Sequence, residues 1–146
     1  MAVSRALRRL LRVRELEEGQ RRLELESALG ELRALEQALE RNTARGRAGR
    51  RLITEGIEKN EIAHRLAGLE EQSAAGRMAT RLEQCMEPAA ERVSDRRAAY
   101  LMTRTGRRQA ETLIEETEAR DARDALRRVQ QELDDWHRGR LQRGGV

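Results

Sequence analysis

The sequence predicts an all-α protein, an extended antiparallel two-helix coiled-coil hairpin with a kinked long second helix. Charged residues make up 38% of the chain and apolar residues another 38%, with one Trp, one Tyr and no Phe, which excludes a large aromatic core. Proline occurs once. Apolar residues recur at alternating steps of three and four, most clearly in a heptad seam. That seam consists of Ala119, Ala122, Leu126, Val129, Leu133 and Trp136. Its narrow stripe is typical of a helix that pairs with another helix.

The first helix is predicted over residues 4–41. Ser4 is suited to cap its first turn, because a serine hydroxyl can accept a hydrogen bond from a free backbone amide. The apolar stripe begins with Leu7, Leu10 or Leu11, Leu16 and Leu23. After Leu23 the spacing slips, which we interpret as a stutter within one continuous helix. The stripe then continues through Leu25, Ala28, Leu32, Leu35 and Leu39.

A reversal of the chain is predicted over residues 42–59. Gly46, Gly49 and Gly56 fall within this segment, and each glycine costs a helix about 1 kcal/mol relative to alanine. A short helical piece can persist at 51–57. An alternative layout reverses the chain near 73–76 and pairs the two heptad stripes with each other.

The second helix is predicted over residues 60–138, within one coiled-coil domain that spans 1–146. Pro88 removes a backbone donor and crowds the preceding turn, which predicts a kink near Cys85 rather than a helix end. Gly139 marks the start of a frayed tail over 139–146. Because this layout makes the second arm much longer than the first, it leaves the end of the second helix overhanging and exposed.

The cysteine and the histidines of the sequence do not form a recognisable catalytic or metal-binding pattern. Cys85 is the only cysteine and is predicted to be a half-buried core thiol, without a nearby histidine that could activate it. His64 and His137 lack a second ligand at metal-binding spacing. The sequence contains no glycine-rich phosphate loop of the kind that binds nucleotides. We therefore predict a protein that is not an enzyme, with no catalytic residue, metal, cofactor or small-molecule substrate.

Positive charge is concentrated in two segments, residues 5–14 and 41–51, although the net charge is only +4. No nucleic-acid-binding motif accompanies them, and residues 15–40 are net acidic, so specific nucleic-acid binding is disfavoured. Basic ends that dock on an acidic protein groove fit this distribution better. Residues 10–11 are hemmed in by arginines, without the apolar run of a signal peptide or membrane span, which predicts a cytoplasmic protein.

Three segments together resemble the FliJ family, small coiled-coil proteins of the bacterial flagellar export apparatus. Residues 6–18 are similar to that family's leucine-rich opening and its basic-then-acidic helix. Residues 108–113 are similar to its basic, acidic and leucine spacing, although Arg108 stands where lysine is usual. Residues 130–135 are similar to its terminal amide, apolar and acidic signature.

This resemblance implies a non-enzymatic central stalk of the flagellar type III protein export apparatus, a role in flagellum biogenesis and protein transport. Proteins of this family associate with the hexameric export ATPase FliI, promote its assembly, connect it to the export gate protein and engage export chaperones. It also implies a cytoplasmic location at the flagellar base, peripheral to the inner membrane, with membrane contact only through partners.

The resemblance further suggests that the two terminal segments enter the ATPase ring. The partner-binding residues predicted on this basis are Leu7, Arg8, Arg9, Leu11, Arg12, Leu126, Leu133 and Trp136. The alternative function is a stand-alone structural coiled coil that dimerises through its seams, or a basic-helix scaffold, with no ATPase partner. Long coiled coils serve many functions, so the fold alone does not decide between them.

Overall fold

A computed structural model describes residues 4–145 of the chain. Two α-helices account for nearly all of them: α1 spans Arg5–Glu58 and α2 spans Ile62–Gly144. No strand occurs within residues 4–145. The prediction of an all-α protein built from two long helices that pack together is therefore confirmed.

Contacts divide the chain into two compact units. The turn unit is Gln20–Tyr100, and the end unit comprises the described parts of Met1–Gly19 and Leu101–Val146. In the turn unit, Glu24 pairs with Arg96, Glu31 with Arg92, and Asn42 with Ala75. Residues further along α1 thus contact residues nearer the start of α2. The two helices therefore run antiparallel within this unit.

Helix α1 begins with the predicted cap. The backbone amide of Leu7 donates to the Ser4 side-chain oxygen at 3.2 Å, and the amide of Arg8 donates to the Ser4 carbonyl at 3.2 Å. A serine side chain that satisfies a first-turn amide is the preferred way to start a helix. The N-terminal boundary of α1 was therefore readable from the sequence.

The turn between the helices is short and has a defined hydrogen-bond pattern. Asn60 has a φ of 56°, in the left-handed region that asparagine tolerates better than most residues. The amide of Glu61 donates to the Gly56 carbonyl at 2.9 Å, and the amide of Asn60 donates to the Ile57 carbonyl at 3.4 Å. These two bonds form a Schellman motif, which satisfies carbonyls that the end of α1 would otherwise leave unpaired.

The predicted end of the first helix at residue 41 is wrong, because residues 42–58 belong to α1. The glycines there allow the helices to approach closely instead of reversing the chain. A Cβ atom added to Gly49 would lie 3.0 Å from the Gly68 carbonyl oxygen, and one added to Gly56 would lie 2.8 Å from the Arg65 amide nitrogen. Their cost in helix propensity is offset by backbone contact between α1 and α2. The alternative reversal at 73–76 is also wrong, since those residues lie inside α2.

Helix α2 continues past both features that were expected to perturb it. Pro88 lies within the helix, followed directly by Ala89, which is buried. The predicted frayed tail is wrong, because the helix extends to Gly144. The Arg143 side chain donates to the Gly139 carbonyl at 3.2 Å, which helps to hold this last turn.

The buried stripe of α1 is a regular heptad without a stutter. It follows Leu11, Glu18, Leu25, Leu32 and Leu39, which are seven residues apart and all at least half-buried. Leu16 and Leu23, which the predicted stripe included, are exposed. The slip arose because the charged residue at position 18 was not recognised as part of the packing face.

Small side chains form the core between the helices. The buried apolar residues are Ala28 on α1 and Ala75, Ala89, Val93 and Ala110 on α2. The side-chain amide of Asn42, also buried, donates to the Ala75 carbonyl at 2.8 Å. A satisfied buried amide of this kind favours one alignment of paired helices over others.

Candidate partner-binding surfaces

The α2 seam comprises Ala119, Ala122, Leu126, Val129, Leu133 and Trp136. Its four large side chains are exposed: Leu126 by 70%, Val129 by 53%, Leu133 by 56% and Trp136 by 57%. Every residue from 125 to 138 is exposed. The structure thus places three predicted partner-binding residues in the seam on a surface that the described part of the chain leaves open.

The seam does not continue the stripe by which α2 packs in the end unit. That stripe passes through Ala110, Ile114, Thr117, Asp121 and Asp124, which are half-buried or buried. Ala119 follows Thr117 by two residues, as Leu126 follows Asp124, and two residues correspond to about 200° around an α-helix. The seam therefore lies on the outer side of α2, where a partner helix can reach it.

Polar groups accompany the seam on its C-terminal side. The Arg140 guanidinium lies 5.4 Å from the centre of the Trp136 ring, within the range of a cation–π contact. The contact orients the indole without covering it. A large aromatic side chain held on an open helix face is typical of residues that anchor protein interfaces.

A second candidate surface, the arginine face, lies at the start of α1. It comprises Arg5, Arg8, Arg9 and Arg12, all of which are exposed. Leu7 and Leu11 are half-buried on the opposite side of the same turns. All eight predicted partner-binding residues thus belong to the end unit, but the two leucines serve packing, at least in part, while the arginines face solvent.

A polar cluster in the packing stripe of the end unit was not predicted from the sequence. Arg107 donates from Nε to Glu18 and from Nη1 to Glu111, the latter at 2.6 Å. The side chains of Glu18 and Arg107 are only 16% and 23% exposed. A signal existed, since position 18 lies seven residues from both Leu11 and Leu25, where a charged residue must find a partner.

Ion pairing shifts the pKa of several groups. Hydrogen bonds to Glu18 and then to Glu111 raise the pKa of Arg107, so this guanidinium stays charged at all ordinary pH values. In the turn unit, Arg45 donates to Glu71 at 3.1 Å, and this bond lowers the pKa of the Glu71 carboxyl below its usual value. Both ion pairs connect α1 with α2.

The remaining candidate groups form no site in the described residues. Cys85 is exposed, so the prediction of a half-buried thiol is wrong. His64 pairs with Glu61 one turn earlier, and residues 4–145 hold no cluster of metal-ligating side chains. Over the same residues, no helix is both long and apolar enough to span a bilayer.

Comparison with known proteins found no match to a family model, to a curated protein or to a solved structure.

Proposed function

We propose that this protein is a non-enzymatic stalk that binds and activates the hexameric ATPase of the flagellar type III export apparatus and links it to the export gate protein and export chaperones. The observation that carries the proposal is the exposed α2 seam, with Leu126, Leu133 and Trp136 open over a segment in which every residue from 125 to 138 is exposed. An apolar stripe of this kind usually marks an interaction site. The resemblance of residues 6–18, 108–113 and 130–135 to the FliJ family supplies the kind of partner.

The arginine face supports a charged component of this binding. Arg8, Arg9 and Arg12 are exposed within two turns, with no acidic residue among them. A ring lumen lined with carboxylates would attract such a surface and would accelerate its association. Because exposed ion pairs are individually weak, the contribution comes from several arginines together. The chain then acts by favouring one state of the ATPase over another.

We also propose that α1 and α2 form an antiparallel coiled-coil hairpin and that Pro88 kinks α2. The seven-residue spacing of the α1 stripe and the opposed helix directions in the turn unit support the hairpin. The missing backbone donor at Pro88 supports the kink. A Cβ atom added to Gly46 would lie 3.6 Å from the Ala75 Cβ, so cysteines introduced at these two positions in a Cys85→Ser chain should form a disulfide if this pairing exists in solution.

The function is tested by measuring ATP hydrolysis by the hexameric export ATPase with and without this chain, together with co-purification of the two proteins. Reversal of Arg8, Arg9 and Arg12 to glutamate should abolish the stimulation while the helix content stays unchanged. The matched control reverses Arg47, Arg50 and Arg51, three exposed arginines of the turn unit, and should retain full stimulation.

A second pair of variants tests the seam. Leu133→Ala with Trp136→Ala should weaken co-purification with the ATPase, because these side chains supply apolar contact area. Leu66→Ala with Leu69→Ala removes comparably exposed side chains from the turn unit and should leave binding unchanged. The proposal fails if the arginine and seam variants both bind and stimulate as well as the parent chain.

A further inference from the structure

The α2 seam has the form of half a coiled coil. Ala119, Leu126 and Leu133 are spaced as successive a positions, and Ala122, Val129 and Trp136 as the d positions between them. The seam lies on the outer side of α2, away from the stripe that packs in the end unit. A second long helix can therefore pair with it without displacing α1.

We propose that the occupant of the α2 seam is the same seam of a second copy of this chain, paired in parallel and in register. In a parallel coiled coil, the g position of one heptad meets the e position of the following heptad on the partner helix. The g positions of the seam are Glu118, Ala125 and Glu132, and the e positions that they meet are Arg123, Gln130 and His137.

This arrangement brings complementary groups together along both sides of the seam. Glu118 meets Arg123 of the second copy, an opposite-charge pair that forms twice because of the two-fold symmetry. Glu132 meets His137 of the second copy, a carboxylate beside a hydrogen-bond donor. No like charges face each other at the e and g positions of this pairing.

The antiparallel arrangement lacks this complementarity. Pairing a positions with d positions in opposite directions along the whole seam places Ala119 opposite Trp136 and Leu126 opposite Val129. Equivalent edge positions then meet, so Arg123 lies near Gln130 and Glu132 near Ala125 of the second copy, and neither residue meets an opposite charge. The parallel arrangement alone gains the pair between Glu118 and Arg123, and edge charges of this kind set helix orientation in coiled coils.

The short length of the seam makes the pairing weak and reversible. It covers 18 residues, fewer than three heptads, and two of its six members are alanines. Its apolar side chains are nevertheless exposed in the single chain, so each pairing event removes two such stripes from water. If the proposed function is correct, the paired form also covers the seam against the ATPase, so self-pairing and ATPase binding exclude each other.

Sedimentation equilibrium of the purified full chain tests the pairing without any ATPase. The mass should rise from that of one chain, 16.8 kDa, towards that of two as the concentration increases. Leu126→Asp with Leu133→Asp should remain a single chain, whereas Leu66→Asp with Leu69→Asp, which alters exposed leucines of the turn unit, should pair like the parent. A parent chain that stays single at all concentrations, a mass above two chains, or unchanged pairing of the seam variant would overturn the proposal.

Charge exchange tests the orientation. Arg123→Glu should weaken pairing by about three- to tenfold, because Glu118 then faces a carboxylate on the second copy. Adding Glu118→Arg restores opposite charges only in the parallel arrangement and should recover the parent affinity. A double variant no better than Arg123→Glu alone would rule out the parallel register.

Cross-linking provides an independent measure of register. In a Cys85→Ser chain, Ala119→Cys should form an intermolecular disulfide rapidly, because residue 119 meets its own counterpart in the parallel arrangement. In the antiparallel arrangement residue 119 lies opposite residue 136, so the two cysteines would be separated by 17 residues along the axis, about 25 Å, and could not react. Gln131→Cys, on the side of α2 away from the seam, is the matched control and should cross-link slowly. Equal rates for the two variants would contradict the proposal.

Discussion

Two apolar stripes of this protein share the same spacing but have opposite surroundings. The α1 stripe from Leu25 to Leu39 is half-buried or buried throughout, with Ala28 only 6% exposed. The large residues of the α2 seam, from Leu126 to Trp136, are at least 53% exposed. Alternating steps of three and four therefore predict that a helix has a pairing face, but they do not predict whether the partner lies in the same chain.

The position of the turn accounts for the difference. Because α1 ends at Glu58 and the turn occupies only three residues, α1 has 54 residues and α2 has 83. Helix α2 is thus longer by 29 residues, or about four heptads. The α1 stripe from Leu25 to Leu39, the covered stripe, lies in the turn unit, where α1 and α2 pack together, whereas the seam lies within the last 29 residues of α2.

The largest expected effect is a difference in stability when a leucine is replaced by aspartate in one stripe or in the other. Leu32→Asp places a charge in the covered stripe and should reduce the free energy of unfolding by about 3 kcal/mol. Leu133→Asp in the seam should change it by less than about 0.5 kcal/mol at low protein concentration. Chemical denaturation followed by circular dichroism measures both. Equal losses would mean that the seam is also covered within the single chain.

An intermediate effect is expected at the close approach of the two helices. A Cβ atom at Gly68 would lie 2.5 Å from the Gly49 carbonyl oxygen and 2.8 Å from the Ile53 amide nitrogen, whereas one at Gly76 would meet open space. Gly68→Ala should therefore lose about 1–2 kcal/mol of stability despite the better helix propensity of alanine. Gly76→Ala should gain up to about 1 kcal/mol.

The thermal midpoints of these two glycine variants provide the measurement. Opposite shifts, downwards for Gly68→Ala and upwards for Gly76→Ala, are expected. Two upward shifts would show that the helices do not approach at Gly49 and Gly68 in solution, and close backbone packing would then not account for the glycines in this part of the chain.

The smallest effect concerns an exposed ion pair of the turn unit, between Arg45 and Glu71. Because Arg45 lowers the pKa of Glu71 below its ordinary value of 4.5, this pair stabilises the fold above that value. The contribution is lost as the pH falls through the lowered pKa. As the pH is lowered from about 5 to about 3, the free energy of unfolding should therefore decrease less for Glu71→Gln than for the parent chain.

The control for the ion pair is Glu70→Gln, which alters an exposed neighbour that makes no ion pair among residues 4–145. Its stability should follow the pH dependence of the parent chain. Parallel curves for all three proteins would indicate that solvent and salt screen the contact between Arg45 and Glu71 completely.

Part of the candidate site was readable from the sequence because it depends on local periodicity. The exposed seam from Leu126 to Trp136 followed from heptad spacing and from arms of unequal length. The polar cluster of Glu18, Arg107 and Glu111 was missed, since it joins residues that are 89 positions apart in the chain. Whether a charged residue lies in a packing stripe depends on the residue that it faces on the other helix. The sequence of one helix does not identify that residue.

Local patterns in the sequence were enough to determine the helical class, the cap at Ser4 and the presence of two pairing faces. These depend on interactions within one or two helical turns, where neighbours along the chain are also neighbours in space. The tertiary structure was needed to establish that Gly49, Gly56 and Gly68 bring the helices together, and that the reversal occurs at Asn60. A glycine lowers the stability of any helix by a similar free energy relative to alanine. The contact that offsets this loss is made with the backbone of the other helix.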